Sequence, residues 1–217
     1  MASKSPDKKL LSIEGSAGAI EAMLETPQEF DGKRVALLCH PHPLYEGTMD
    51  NKVVHTLARA FHDTGFATLR FNFRGVGNSE GEHDEGAGET EDTVLLAAWL
   101  GKQFPDARLS LAGFSFGGMI AAKAASGLKP ETLVTVAPAV GFIKSGDAAG
   151  PGAPWLLVQG GQDEVIDPQV VTDWAGTLAA PPEIIMIAGT GHFFHGQLVT
   201  LRQHVVDWLS RQMAAGA

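Results

Sequence analysis

Residues 109–122 change character at a single serine. Leu109-Ser110-Leu111-Ala112 reads as an apolar, strand-like run and Met119-Ile120-Ala121-Ala122 as an alanine-rich, helix-like one. Between them stands Gly113-Phe114-Ser115-Phe116-Gly117, a G-x-S-x-G pattern in strand–turn–helix context. A serine on so sharp a turn sits in strained backbone with its hydroxyl pushed clear of the sheet. Glycine at 113 and 117 leaves no Cβ to collide with the turn or the neighbouring strand. The helix that follows points free N–H groups at an oxygen drawn towards the serine. A glycine-rich turn with an incidental serine has the same letters, so the remaining chain must decide.

That chain alternates. Residues 10–14 and 19–24, separated by Gly15-Ser16-Ala17-Gly18, predict an antiparallel hairpin at a sheet edge, after a polar stretch 1–9 expected to be frayed or disordered. Residues 34–39 form an almost wholly apolar run, the pattern of a strand buried on both faces. They lead into the stiff loop His40-Pro41-His42-Pro43-Leu44-Tyr45-Glu46-Gly47. A helix is expected over 51–63, capped by Asp50 or Asn51, with Val54, Leu57, Ala58 and Phe61 on one face. A strand over 66–71 precedes a long glycine- and acid-rich loop, 72–88, of a length that is usually functional or mobile. A helix over 89–103 is expected to turn Val94, Leu95, Ala98 and Trp99 inward, ahead of the strand 108–113 and the helix opened by Ser115. Strands over 131–136, 155–159 and 183–187, a Pro/Gly-rich connection over 137–152, and helices over 168–178 and 197–211 complete the chain. The last helix places Leu198, Leu201, Val205 and Leu209 on one stripe. Alternation from residue 34 onwards predicts a single α/β domain over 1–217: a mostly parallel sheet, an N-terminal antiparallel hairpin, and helices on both faces.

In such a sheet ligands bind at the C-terminal ends of the strands, and each unusual loop begins at one: after Cys39, after Phe71, at Ser115, at Asp163 and at His192. A serine nucleophile needs a base to take its proton, and the base needs a carboxylate to fix its tautomer. Ser115, Asp163 and His192 come in that order, each just past an apolar strand. Asp163 is preferred to Glu164 and Asp167, because it leaves the strand first after Gly160-Gly161, whereas Asp167 precedes Pro168 and resembles a helix cap. His192 is preferred to His195, because Gly189-Thr190-Gly191 supplies a tight turn back to the pocket and His195 falls beside the last helix. Two backbone N–H groups are needed for the oxyanion. Phe116 supplies one; Pro41 and Pro43 have none, so His42 is the first interior donor of the other loop, with Leu44 next. A cis bond is expected before Pro43. Phe114, Phe193 and Tyr45 are candidates to line the substrate site.

The charge balance, 16 basic against 25 acidic residues, argues against nucleic acid and against an anionic membrane surface as partners. A single cysteine, Cys39, excludes an internal disulfide framework, reads as buried core and fits a reducing compartment. With no apolar segment of signal-peptide or membrane-spanning length, a cytoplasmic location is expected. No metal and no cofactor is expected, although His40, His42, His83 and Asp84 could be read as ligands. Arg74 reads as a tie within its own loop rather than an anion site, and Glu80, Glu82, Asp84, Glu85, Glu89, Glu91 and Asp92 as a solvated rim. The four tryptophans read as packing.

With these residues assembled, the chain resembles the α/β-hydrolase superfamily. More narrowly, it looks like the small capless bacterial hydrolases related to dienelactone hydrolase and short-chain carboxylesterases. The likeness rests on His40-Pro41-His42-Pro43, Gly47-Thr48-Met49-Asp50-Asn51-Lys52, Arg70-Phe71-Asn72-Phe73-Arg74-Gly75-Val76-Gly77-Asn78-Ser79, Gly113–Gly118, Gln159-Gly160-Gly161-Gln162-Asp163 and Gly191-His192-Phe193-Phe194-His195-Gly196. It implies Ser115 as nucleophile, Asp163 as orienting acid and His192 as base. It also implies the His42 N–H as oxyanion donor, with proline standing at 41 where many members have glycine. The short stretch 137–152 implies an open cleft without a helical cap. The expected substrate is a small acyl ester, with a thioester or a non-catalytic binding role as alternatives; the sequence sets no oligomeric state.

Overall fold

The computed structural model describes residues 6–142 and 152–215. Among them, eight strands form one sheet: β1 (Asp7–Gly15), β2 (Gly18–Thr26), β3 (Arg34–Cys39), β4 (Ala67–Phe71), β5 (Arg108–Phe114), β6 (Leu133–Val136), β7 (Trp155–Gly160) and β8 (Glu183–Ile187). Their spatial order is β1-β2-β4-β3-β5-β6-β7-β8. The β1–β2 and β2–β4 pairs are antiparallel and all pairs from β4 to β8 are parallel. Five helices, α1 (Lys52–Asp63), α2 (Ala87–Gln103), α3 (Phe116–Leu128), α4 (Pro168–Gly176) and α5 (Leu198–Ala215), cover the sheet. This is the α/β-hydrolase fold.

Successive side chains of a strand point to opposite faces, and in β3 both sets are buried. Val35 and Leu37 join Leu69, Leu111 and Leu157 under Leu96 of α2 and Met119 and Ile120 of α3. Ala36 and Leu38 join Ala112, Phe114 and Val158 under Phe61 of α1 and Leu201, Val205 and Trp208 of α5. Two apolar layers thus clamp one sheet, and the site can only open at its rim.

Three expectations need correction. β1 begins at Asp7 rather than at residue 10, because the ladder reaches Asp7↔Thr26 and Lys8 Nζ lies 2.7 Å from the buried Glu25 carboxylate. The expected fraying of residues 1–9 therefore fails at 7–9, while residues 1–5 lie outside the described part. α2 is rotated from its expected setting: Glu89, Asp92, Thr93, Leu96, Ala97 and Leu100 are buried, Leu95 and Trp99 pack half-buried against the core as expected, and Val94 and Ala98 are exposed. Polar residues won the inner face because partners await them there: Arg74 for Asp92, the Cys39 thiol for Thr93, and two loop N–H groups for Glu89. No described peptide bond is cis, so the expected cis bond before Pro43 is not found; Pro43 opens a short 3-10 turn, Pro43–Tyr45.

Between β6 and β7 lie only residues 137–154, starting with a 3-10 turn at Val140–Phe142; most of the expected Pro/Gly-rich connection lies outside the described residues. Among the described residues, no helix is long and apolar enough to cross a membrane.

Candidate active site

β5 ends at Phe114 and α3 begins at Phe116, so the chain reverses within one residue, Ser115. Its backbone has φ 54° and ψ −120°, a left-handed setting that costs a non-glycine residue about 1–3 kcal/mol. Close packing makes the turn possible. A Cβ on Gly113 would run into the Gly117 carbonyl, and a Cβ on Gly117 into the carbonyls of Cys39 and His40. The end of β3 therefore lies directly against the first turn of α3. Val136 O accepts the Ser115 N–H at 2.9 Å, and Ser115 O accepts from Ala139 N at 3.2 Å.

Two further loops converge on the serine. His192 Nε2 lies 3.1 Å from Ser115 Oγ, and His192 Nδ1 lies 2.8 Å from Asp163 Oδ2. A carboxylate only accepts, so Nδ1 carries the proton, and the Nε2 lone pair faces the serine hydroxyl. Asp163 Oδ1 accepts from the N–H groups of Val165 (2.9 Å) and Ile166 (2.8 Å). Burial alone would raise the Asp163 carboxyl; the bond from His192 and these two N–H groups outweigh it and hold it below its ordinary value. The loops are also stitched to each other, since Gln162 N donates to Thr190 O and His192 N to Glu164 Oε2. The sequence's rival candidates have other tasks: Asp167 caps α4 through Gln169 N, Glu164 holds the His192 backbone, and His195 is exposed and stacked on Phe193.

On the far side of Ser115 the His40–Pro43 loop adjoins α3, with the His42 ring 4.7 Å from that of Phe116. Leu44, the other candidate donor, gives its N–H to His42 Nδ1 at 3.2 Å. His40 is wholly buried between two backbone segments, its own loop and the start of the 72–88 loop. Its Nε2 accepts from Phe73 N at 2.9 Å, so Nδ1 carries the proton and donates to Pro41 O at 2.6 Å. Burial pushes its pKa down to about 4. With both ring nitrogens engaged, His40 offers no lone pair to a metal. Among the described residues, no group of three or more histidine, cysteine or acidic side chains is arranged to hold one. Cys39 is buried against Thr93 and its thiol is pushed up to about 12 by that burial, which suits packing rather than chemistry.

The long loop 72–88 is tied down at many points. Arg74 grips Asp92 through two bonds of 2.8 Å and reaches Ser16 Oγ at 3.2 Å, so it serves its own loop, as its sequence setting suggests. Ser79 Oγ donates to Asn72 O, and Glu21 accepts from Asn72 and Asn78. Two members of the expected acidic rim are not on a rim at all. Asp92 faces Arg74, and Glu89 is wholly buried, accepting from Asp84 N, Gly86 N and His83 Nδ1.

Of the candidate substrate-lining residues, Phe114 has no exposed surface, so it cannot touch a substrate; it packs 5.0 Å from the His192 ring and supports it. Phe193 (45% exposed) and Tyr45 (80% exposed) stand at the edges of the two loops. Sequence reasoning gave no role to Gln159 and set Glu89 on the solvated rim rather than in a buried cap. The available signal was a polar side chain at the end of an otherwise apolar strand, and an acidic one three residues after Gly86 at a helix start.

Fold and site together define an α/β serine hydrolase. The family model for X-Pro dipeptidyl-peptidases (S15 family) matches residues 19–148, more than half of the chain and including Ser115. The chain belongs to that family. A Rickettsia prowazekii protein is 36% identical over 186 residues, covering 81% of this chain and 78% of its own. An α/β serine hydrolase homologue from Coxiella burnetii is 41% identical, with a TM-score of 0.87 over 95% of this chain and 98% of that one. An α/β serine hydrolase without a lid from Xanthomonas campestris is 37% identical, with a TM-score of 0.90 over 94% of both chains.

Proposed function

We propose that this chain is a carboxylesterase that acts on small acyl esters through an acyl-enzyme on Ser115. The observation that carries the reading is the continuous relay from Asp163 through His192 to Ser115, at 2.8 and 3.1 Å. Ser115 Oγ attacks the ester carbonyl as its proton passes to His192 Nε2, and the Asp163 carboxylate stabilises the imidazolium. The backbone N–H groups of Phe116 and His42 receive the oxyanion. His192 then gives the proton to the leaving alcohol, and a water, deprotonated in turn by His192, releases the acid. The short 137–154 segment and the lidless Xanthomonas relative favour a cleft open to small substrates, with Tyr45 and Phe193 at its edges. No metal or cofactor takes part in this scheme, and the acidic balance of the chain disfavours nucleic acid and anionic membrane as partners.

The same relay cleaves a thioester, and the family match brings a second reading, cleavage of an X-Pro amide. A fluorophosphonate followed by intact mass measurement tests the core of the proposal. One adduct is expected on the wild type and none on Ser115→Ala. A folded wild type that takes no adduct overturns the reading in favour of a non-catalytic role. Once the wild type is shown to take the adduct, p-nitrophenyl esters, acyl thioesters and an X-Pro p-nitroanilide offered to the unlabelled protein separate the three chemistries, with the esters expected to turn over fastest.

A further inference from the structure

Gln159 is a polar side chain near the end of β7, after Trp155-Leu156-Leu157-Val158, and it has no exposed surface. Its Nε2 donates to Asp163 Oδ2 at 2.9 Å and to the Ile166 carbonyl at 3.3 Å. Both partners can only accept, which fixes the orientation of the amide: turned over, its oxygen would face the carboxylate. The cost of this orientation is visible at the other end of the group. Gln159 Oε1 is buried without a hydrogen-bond partner among the described residues. A leucine or methionine would fill the space with no such orphan, so the residue makes sense only if its NH2 end is needed.

That end is placed at the relay. Asp163 Oδ2 is the oxygen that takes the His192 Nδ1–H, whereas Oδ1 is held by the Val165 and Ile166 N–H groups. We propose that Gln159 is a positioning residue of the relay, aiming Asp163 Oδ2 at His192 and drawing charge from it, so that His192 stays a weaker base than an unassisted carboxylate would make it. The physical reason is that every donor to a carboxylate stabilises its charge and weakens its pull on the next proton. The inference rests on reading Ser115, His192 and Asp163 as a working relay. The other groups facing His192 are Ser115 on Nε2, Glu164 on its backbone N–H, the rings of Phe114 and Phe193, and His195 beyond Phe193. Gln159 makes no hydrogen bond to any of these, its amide being spent on Asp163 and Ile166, so its replacement acts through Asp163.

The test is Gln159→Met, which keeps length and volume and removes the donor. The His192 ring is titrated by NMR, its signals assigned by their loss in His192→Gln. The expected result is a folded protein in which the His192 signals change at higher pH than in the wild type. The acid limb of kcat/KM should move with it, with kcat lowered and KM unchanged. A His192 titration that stays in place or moves down in folded Gln159→Met overturns the proposal, as does a fall in Tm with the titration unmoved, which is the outcome of a packing role alone. If Gln159→Met does not fold, Gln159→Asn, whose amide stops one methylene short of Asp163, must give the same upward movement. The two readings fail separately, because His192 titrates whether or not an ester is turned over. A shifted His192 in an enzyme without esterase activity overturns the proposed function and keeps this inference.

Discussion

His192 and His83 each donate Nδ1–H to a carboxylate at 2.8 Å, in loops that lie on opposite sides of Ser115. Asp163 stands on a loop at the end of β7, its second oxygen fixed by Val165 and Ile166, so that the imidazole it holds presents Nε2 to Ser115 Oγ. Glu89 stands in the first turn of α2, where its oxygens also take the N–H groups of Gly86 and Asp84. The imidazole it holds lies with its ring 4.9 Å from that of His42 and 5.7 Å from that of Phe116. One arrangement of atoms therefore serves two ends. Beside a hydroxyl it turns a lone pair towards the serine; beside two aromatic rings it fastens the 72–88 loop over the helix that follows the serine.

Parallel exchanges in the two carboxylates give the strongest contrast. Asp163→Asn leaves the shape but lets His192 adopt the wrong tautomer, and kcat/KM for a p-nitrophenyl ester should fall roughly 10³–10⁴-fold with Tm little changed. Glu89→Gln sets an amide NH2 among three donors, and urea unfolding should show a loss of about 1–3 kcal/mol. In the protein that remains folded, kcat/KM should fall by less than about tenfold. A Glu89→Gln enzyme as slow as Asp163→Asn would break the comparison and give His83 a part in the chemistry.

The two sides of the site also differ in how well they could be read from sequence. The relay was legible because its residues announce themselves: Ser115 between glycines, Asp163 after Gly160-Gly161 and His192 after Gly191 each leave an apolar strand at a turn. The β3–β4 side was read less well, because its order depends on pairings far apart in the chain. Nothing local says that Asp92 turns inward. It does so because Arg74, eighteen residues earlier, brings a guanidinium to it, and that pairing rotates α2 until Val94 is exposed. Likewise, residues 7–9 look like a frayed terminus until Arg70 is seen buried against Glu25, which then also binds Lys8. Hydrophobic periodicity locates elements, whereas a buried ion pair sets their rotation and ends, and only the second needs tertiary structure.

His40, on the same side, has no carboxylate and sharpens the contrast. Held neutral with a pKa of about 4, it takes a proton far less readily folded than unfolded, where about 6.5 is ordinary. Stability is fully present above pH 6.5 and is lost as pH falls, because the unfolded chain gains the proton first. The loss should reach about 2 kcal/mol by pH 5 and stop growing near the folded value. Urea unfolding at pH 7 and pH 5 checks it. His40→Asn, though less stable at pH 7, should show a shallower decline by that amount, and an equal decline in both proteins would assign the pH dependence to other groups.

His83→Phe makes the smallest change and the most discriminating one. Phenylalanine can keep the ring contacts to His42 and Phe116 but cannot donate to Glu89, so it separates the two parts of the fastening. Leaving Glu89 with two of its three donors should cost about 1 kcal/mol, read as a small fall in the urea midpoint. If the ring contacts matter to the oxyanion loop, kcat should stay near wild type in His83→Phe and fall severalfold in His83→Ala, with KM steady in both. A rate equally low in both variants would show that the Glu89 bond, not the ring, fixes the loop, and a rate unchanged in both would reduce His83 to a stabilising contact. The acid–base partner of Ser115 would in either case be His192 alone, since among the described residues only its imidazole is within hydrogen-bonding distance of the hydroxyl.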